Sequence, residues 1–156
     1  MESKENIKVV ATNRRARHDY HIMDTVEAGI VLKGTEVKSL RAGRASLAEA
    51  YAGFDRGETF IFNLFINPYE QGNRYNQPER RIRKLLLHRT EISRLVAQVS
   101  QKGFTLIPLQ LYFKGSHVKL QLGLARGKKS FDKREDLKER ETKRELDRAM
   151  KDSRNK

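Results

Sequence analysis

Cysteine is absent from the 156 residues, which excludes a disulfide framework and any thiolate metal site. That absence is compatible with a reducing compartment. Long apolar runs are missing as well. Stretches such as Phe60-Ile61-Phe62 and Leu85-Leu86-Leu87 are far too short to cross a bilayer. The start, Met1 to Lys8, is polar and charged with no apolar core segment, so no secretory signal is expected. A membrane-surface role would need a basic amphipathic helix with large apolar residues along one face, and no segment fits that description. The expected location is the cytoplasm.

What the chain has in quantity is positive charge. It carries 33 Lys and Arg against 20 Asp and Glu, a formal charge of +13. An excess of this size repels itself unless a polyanion neutralises it, and nucleic acid is the polyanion that remains. The length accommodates one domain and a tail.

Along the chain, Ile7 and Val9 flank Lys8 as in a strand, and a basic block, Asn13-Arg14-Arg15-Ala16-Arg17-His18, follows. Tyr20, Ile22 and Val26 share one parity, which predicts a strand over 18–26 that Gly29 breaks or bends. Thr35–Arg41 is expected to form a short helix with Thr35 as N-cap and Gly43 just past its end. Residues 47–54 and 58–66 read as a hairpin around a three-residue turn, Asp55-Arg56-Gly57, with Phe60, Phe62 and Leu64 on one face and Ile61 and Phe65 on the other, so that both faces of the second strand are expected to be partly buried. The polar stretch 67–81 reads as a loop. Ile92, Leu95, Val96 and Val99 follow helical spacing, so a helix is expected over 90–102, from Thr90 as N-cap to Gly103. A second hairpin, 104–113 with 118–126, alternates apolar and polar residues and should bury one face only. Pro108 lacks an amide donor and demands an edge or a bulge.

After Gly127 the core formers thin out. Acid-before-base pairs such as Asp136–Arg140 and Glu139–Lys143 favour helix, yet no continuous apolar stripe accompanies them. Residues 128–156 are therefore expected to be a basic tail, disordered or partly helical when free and helical on a partner. Residues 1–127 form the domain. Short strands with one firm helix between hairpins predict a mainly β fold: a small closed antiparallel barrel with flanking helices. Such a barrel exposes basic strand faces, a platform for nucleic acid.

No catalytic constellation emerges. His18 and His21 would face opposite sides of a strand, and His88 and His117 are isolated. Gly127-Lys128-Lys129-Ser130 lacks the spacing of a phosphate-binding loop. Glu36-Val37-Lys38 resembles half of a metal-dependent nuclease motif, but the same loose pattern occurs elsewhere in this highly charged chain. No enzyme activity, metal or cofactor is expected, and ribonuclease action through Glu36 is the enzyme alternative.

Four stretches, in order, carry a family resemblance: Asn13 to Tyr20; Glu27-Ala28-Gly29 through Gly34-Thr35-Glu36-Val37-Lys38-Ser39-Leu40-Arg41-Ala42-Gly43; Arg83-Lys84-Leu85-Leu86-Leu87; and Gly123 to Lys129 followed by Asp132-Lys133-Arg134. Together, over nearly the whole chain, they resemble the small protein B (SsrA-binding) family. The resemblance implies an oligonucleotide-binding-type (OB-like) barrel that binds the tRNA-like domain of transfer-messenger RNA. It implies a tail that enters the empty mRNA channel of a stalled ribosome and folds there as a helix, so that the nascent chain is tagged. It also implies places in the RNA surface for Glu27, Leu86 and His88. Thr142 stands where family tails often carry an aromatic residue, and 67–81 matches the family least.

Residue chemistry supplies the remaining candidates. Arg14, Arg15, Arg17, Lys38, Arg41, Lys84 and Lys119 suit phosphates. His18 and Tyr20 suit stacking on bases or riboses, and Asn13 suits base edges or backbone. A carboxylate repels phosphate, so Glu27 is expected to orient an Arg or to accept from a base amino group. In the tail, Lys128, Lys129, Lys133 and Arg134 should face ribosomal RNA, with Asp132 positioning its neighbours or capping the induced helix. A monomer is expected, partnered by transfer-messenger RNA and the ribosome. The rival from another class is a structural ribosomal protein.

Overall fold

The computed structural model describes residues 6–69, 78–128 and 140–149. In chain order the elements are β1 (Ile7–Thr12), α1 (Ala16–Asp19), β2 (Tyr20–Ile30), α2 (Gly34–Arg41), β3 (Ala45–Ser46), β4 (Tyr51–Asp55), β5 (Glu58–Phe62), β6 (Phe65–Ile66), β7 (Arg83–Leu86), α3 (Arg89–Lys102), β8 (Thr105–Lys114) and β9 (His117–Gly127). A helix over 140–149 has every residue exposed.

The alternation in the last hairpin builds the barrel wall. Leu120, Leu122 and Leu124 point inward and are buried, while Lys119 and Gln121 point out. β2 lies antiparallel along β9, β7 along β2, β5 along β7 and β4 along β5. One bridge, Ala52 to Leu106, joins β4 back to β8 and closes the ring. β1 extends β8 beyond that bridge. The helices cover opposite ends. Leu40 of α2 and Leu95 of α3 both enter the central core, at 0% and 2% exposure. Arg41 of α2 lies over Phe113 near one end of β8. Arg94 of α3 pairs with Asp24, whose strand neighbour is Leu124 at the other end. Truncating a plug such as Leu95 to Ala costs about 2–5 kcal/mol by the usual cavity argument.

Where the elements depart from the sequence reading, the reasons are local. The first hairpin has a two-residue turn, because Asp55 pairs with Glu58; Arg56 and Gly57 both take positive φ, 51° and 77°, as a type I′ turn requires. The strand predicted over 58–66 stops at Phe62, and Asn63 turns the chain at φ 58° into β6, which pairs with β3. The inward residues of β5 are Thr59 and Ile61; Phe62 instead stacks on Tyr51 at 5.1 Å between ring centroids. β2 runs through Gly29, which pairs with Leu86; a Cβ there would lie 3.2 Å from that of Leu86. Thr35 and Thr90 are not caps. Both helices begin a residue earlier, and Glu36 and Glu91 accept from the backbone N–H of Lys33 and His88. Pro108 is accommodated by a bulge, as its missing amide demands: it pairs with Leu122 and Gln110 pairs with Gln121, leaving Leu109 extra.

β2 carries a second irregularity. Its register against β9 shifts between Ile22 and Asp24. Val26, Ala28 and Ile30 therefore belong to the central core. Tyr20 and Ile22 pack outside it, in a satellite cluster with Ala16, Ile107, Leu109 and Ala125. The shared parity of Tyr20, Ile22 and Val26 in sequence does not survive this extra residue. The strand predicted over 18–26 begins only at Tyr20, because Ala16–Asp19 forms a single turn of helix seated on the satellite cluster through Ala16.

Among the described residues two charged side chains are buried, Arg83 and Glu36. Arg83, on β7 opposite Ile61, has 0% exposure. Its Nε donates to Glu36 Oε2 at 2.5 Å, and its other nitrogens donate to the carbonyls of Leu64, Arg81 and Glu79. Glu36, 4% exposed, also accepts from Arg81 at 2.5 Å. Burial pushes the Glu36 carboxyl up, but the bonds from Arg81, the Lys33 amide and Arg83 outweigh it and hold the carboxyl below its ordinary value of 4.5. Removing the charge with Glu36→Gln strands a buried guanidinium and should cost about 3–5 kcal/mol, read as a lower urea midpoint at pH 7. Because the folded value lies below the unfolded one, this contribution is complete above pH 4.5 and fades as pH falls through the folded value. The gap between wild type and Glu36→Gln should therefore narrow in acid.

Candidate nucleic-acid interface

The outward side chains of β7, β2, β9 and β8 form one continuous face, with α1 seated at its β2–β8–β9 corner and α3 flanking it beyond Leu86. Gly29 pairs with both Leu86 and Lys119, and Lys119 pairs with Tyr112. Glu27 lies two residues before Gly29 on the same side. The structure thus brings together Leu86, Glu27 and Lys119, three of the residues singled out in the sequence, and adds Tyr112 and Lys114. Leu86 is 52% exposed. Lys84, also outward on β7, holds Glu58 at 3.0 Å.

At the centre of this face is the Glu27 carboxylate. The Tyr112 hydroxyl donates a short bond to Oε2, and Lys114 Nζ approaches Oε1 at 3.4 Å. The hydroxyl bond lowers the Glu27 pKa most; burial opposes it, and Lys114 and Lys119 lower it further. Tyr112 is shifted in the other direction, raised by burial and then by the carboxylate, so it stays a neutral donor. Glu27 is an ionised acceptor among lysines. That arrangement repels a phosphate from one spot of an otherwise cationic face and invites an N–H donor there. Tyr112 and Lys114 escaped the sequence reading, although both share the outward parity of Lys119 across the hairpin.

A second group gathers at the α1 corner, about 20 Å along β2 at strand rise. Asn13 anchors it. Its amide N–H donates to the Leu109 carbonyl at 2.8 Å and its side chain to the Pro108 carbonyl at 2.9 Å. Asn13 thus ties its main-chain N–H and its side-chain NH₂ to the bulge. Arg14, Arg15 and Arg17 are exposed around it. His18 is half-buried with Nδ1 at 2.9 Å from Asp19, and Tyr20 is half-buried in the satellite cluster. Lys128 joins this corner from the end of β9: its N–H donates to Asp19 O and its Nζ to Arg17 O.

The other candidates lie apart. Lys38 and Arg41 are exposed on α2, over the rings of Tyr69 and Phe113 at 5.6 and 5.7 Å, at the barrel end remote from α1. His88 is exposed at the start of α3. Lys129, Asp132, Lys133 and Arg134 lie outside the described residues. Replacing Tyr112 by Phe removes the strongest influence lowering Glu27, so the Glu27 carboxyl should titrate at higher pH in Tyr112→Phe. Carbon-detected NMR of that side chain measures the shift.

A family model described as SmpB protein matches residues 10–152. The SsrA-binding protein of Acetivibrio thermocellus is 56% identical over 97% of this chain and 98% of its own length. The SsrA-binding protein of Bacillus subtilis is 53% identical over 94% of each. A solved structure described as "tmRNA-SmpB: a journey to the center of the bacterial ribosome" holds a chain 54% identical, superposing with a TM-score of 0.66 over 81% of this chain and 92% of that one. The antiparallel barrel, the cationic outer face and near full-length identity above one half agree, and the chain belongs to the SmpB family.

Proposed function

We propose that this chain binds the tRNA-like domain of transfer-messenger RNA and delivers it to stalled ribosomes, where the nascent chain is tagged. The observation that carries the reading is the open outer face: both barrel ends are covered by helices, whereas Glu27, Lys119, Lys114 and Leu86 are left uncovered on one surface. Relatives named SsrA-binding protein, and a structure pairing SmpB with tmRNA and the bacterial ribosome, support the same partners. Lys84 and Lys119 on the sheet and Arg14, Arg15 and Arg17 at the α1 corner neutralise phosphates. Tyr20 and His18 hold the corner's shape more than they stack. Lys38 and Arg41, at the far barrel end, serve a different stretch of RNA.

The protein works by binding, in the cytoplasm, without catalysis of its own. Glu36, on which a nuclease mechanism would depend, accepts from Arg81, Arg83 and the Lys33 amide, which leaves it little capacity for a metal ion. The residues before Lys128 form the RNA-gripping domain. Those from 128 on form the ribosome-facing tail, to which Lys129, Asp132, Lys133 and Arg134 belong.

If about six phosphates are contacted, affinity for the tRNA-like RNA should fall with salt at a log–log slope of roughly −4 to −5, and a flat response in a filter-binding series would count against the mechanism. Truncation after Lys128, which keeps the bonds of Lys128 to the α1 corner, should leave that affinity within about threefold, since no phosphate contact of the barrel is lost, and should abolish tagging on stalled ribosomes. Loss of both activities, or of neither, would break the division between barrel and tail. A structural ribosomal protein would instead sediment with every ribosome, whether or not transfer-messenger RNA is present.

A further inference from the structure

A groove of about 780 Å³ runs between the outer side of β5 and β7 and the facing side of α3. Its walls are apolar: Leu86, Ile92 and Val96 line it, with Leu86 and Val96 exposed at 52% and 37%. Its rim is cationic, with Arg56 on the β4–β5 turn, Lys84 on β7 and Arg89 at the start of α3. Its one carboxylate, Glu58, is held by Lys84 at 3.0 Å. The volume lies within the range of roughly 300–1,000 Å³ typical of small-molecule sites.

Arg56 is the telling residue. It occupies a left-handed backbone position at φ 51°, where Asn, Asp or Gly is the usual occupant of this turn. The register of the β4–β5 hairpin imposes that backbone but does not call for a guanidinium. Neither Arg56 nor Arg89 has a hydrogen-bond or ion-pair partner among the described residues. A strained position carrying an unengaged guanidinium at the lip of a groove points outward, to a ligand.

We infer that this groove is a nucleotide subsite, in which an unpaired nucleotide of the bound RNA lays its base against Leu86, Ile92 and Val96 while Arg56 and Arg89 hold the flanking phosphates. The inference rests on the reading that the outer face binds folded RNA, and it extends that face. Leu86 belongs to both surfaces: it pairs with Gly29 beside Lys119 and also lines the groove. Guanidinium groups suit phosphate oxygens by bidentate geometry, and an aliphatic floor accepts the face of any base. An acidic peptide would satisfy the cations too, but the continuity with the RNA face favours a nucleotide.

The test uses the full chain and a transcript of the tRNA-like domain, with binding measured across a salt series. Arg56→Glu with Arg89→Glu should weaken binding at least about tenfold and make the salt slope shallower by about 0.9 for each phosphate lost. Val96→Trp, which fills the floor without touching charge, should weaken binding at an unchanged slope. Thermal melts of these surface variants should match wild type, and Arg56→Lys should recover part of the affinity. If the double variant and Val96→Trp both bind like wild type while Lys119→Glu does not, the subsite is wrong and the RNA reading stands. If wild type shows no preference for the tRNA-like transcript over an arbitrary duplex, both fall.

Discussion

The carboxylate of Glu36, shared between Arg83 inside the barrel and Arg81 at its edge, fixes more of this structure than any single apolar contact. It ties α2 to β7, so the helix that covers one end of the barrel is bolted to a strand of its wall. Because side chains alternate along a strand, holding Arg83 inward also sets Lys84 and Leu86 outward. Burying a charge is expensive, and an apolar pair of similar shape could pack as stably. What the ionic arrangement adds is a demand on register: a slip of β7 would part the guanidinium from Glu36 and from the carbonyls of Leu64 and Glu79.

The outer face follows from that register. It is cationic in general and acidic at one point, where Tyr112 pins the carboxylate of Glu27. A surface of lysines alone would hold any polyanion with similar strength. An acceptor fixed among donors adds a local veto on phosphate, and so converts attraction into discrimination between one orientation of a folded RNA and others. The α1 corner contributes charge differently. Its arginines ride on a short turn that Asn13 fastens to the bulge of β8, so their placement depends on main-chain carbonyls rather than on a long helix.

Much of this was legible in the sequence, and the exceptions are instructive. The even alternation of Val118 through Leu124 displayed the wall and its parity, and Pro108 foretold the bulge. The spacing of Ile92, Leu95 and Val99 foretold α3. The division of Tyr20 from Val26 was hidden, because one extra residue in β2 inverts the parity and no side-chain type announces it. The cap positions were misread because Glu three residues on, not Thr, supplies the acceptor. The basic residues of the candidate site were visible one by one, but their grouping into an outer face, an α1 corner and a remote pair on α2 required the register. Arg56 was legible only as a turn residue; its strain and its groove are properties of the folded chain.

The extra residue in β2 has a bearing on how this chain can vary. One strand serves two separate interiors, the barrel proper through Val26, Ala28 and Ile30 and the satellite cluster through Tyr20 and Ile22. Chemical character at position 23, an exposed Met, is nearly unconstrained, whereas chain length there is not. Deleting a single residue would swing Glu27 toward the leucines or Tyr20 into solvent. Lineages can therefore be expected to exchange side chains freely at this position while keeping the count of residues between the two clusters fixed.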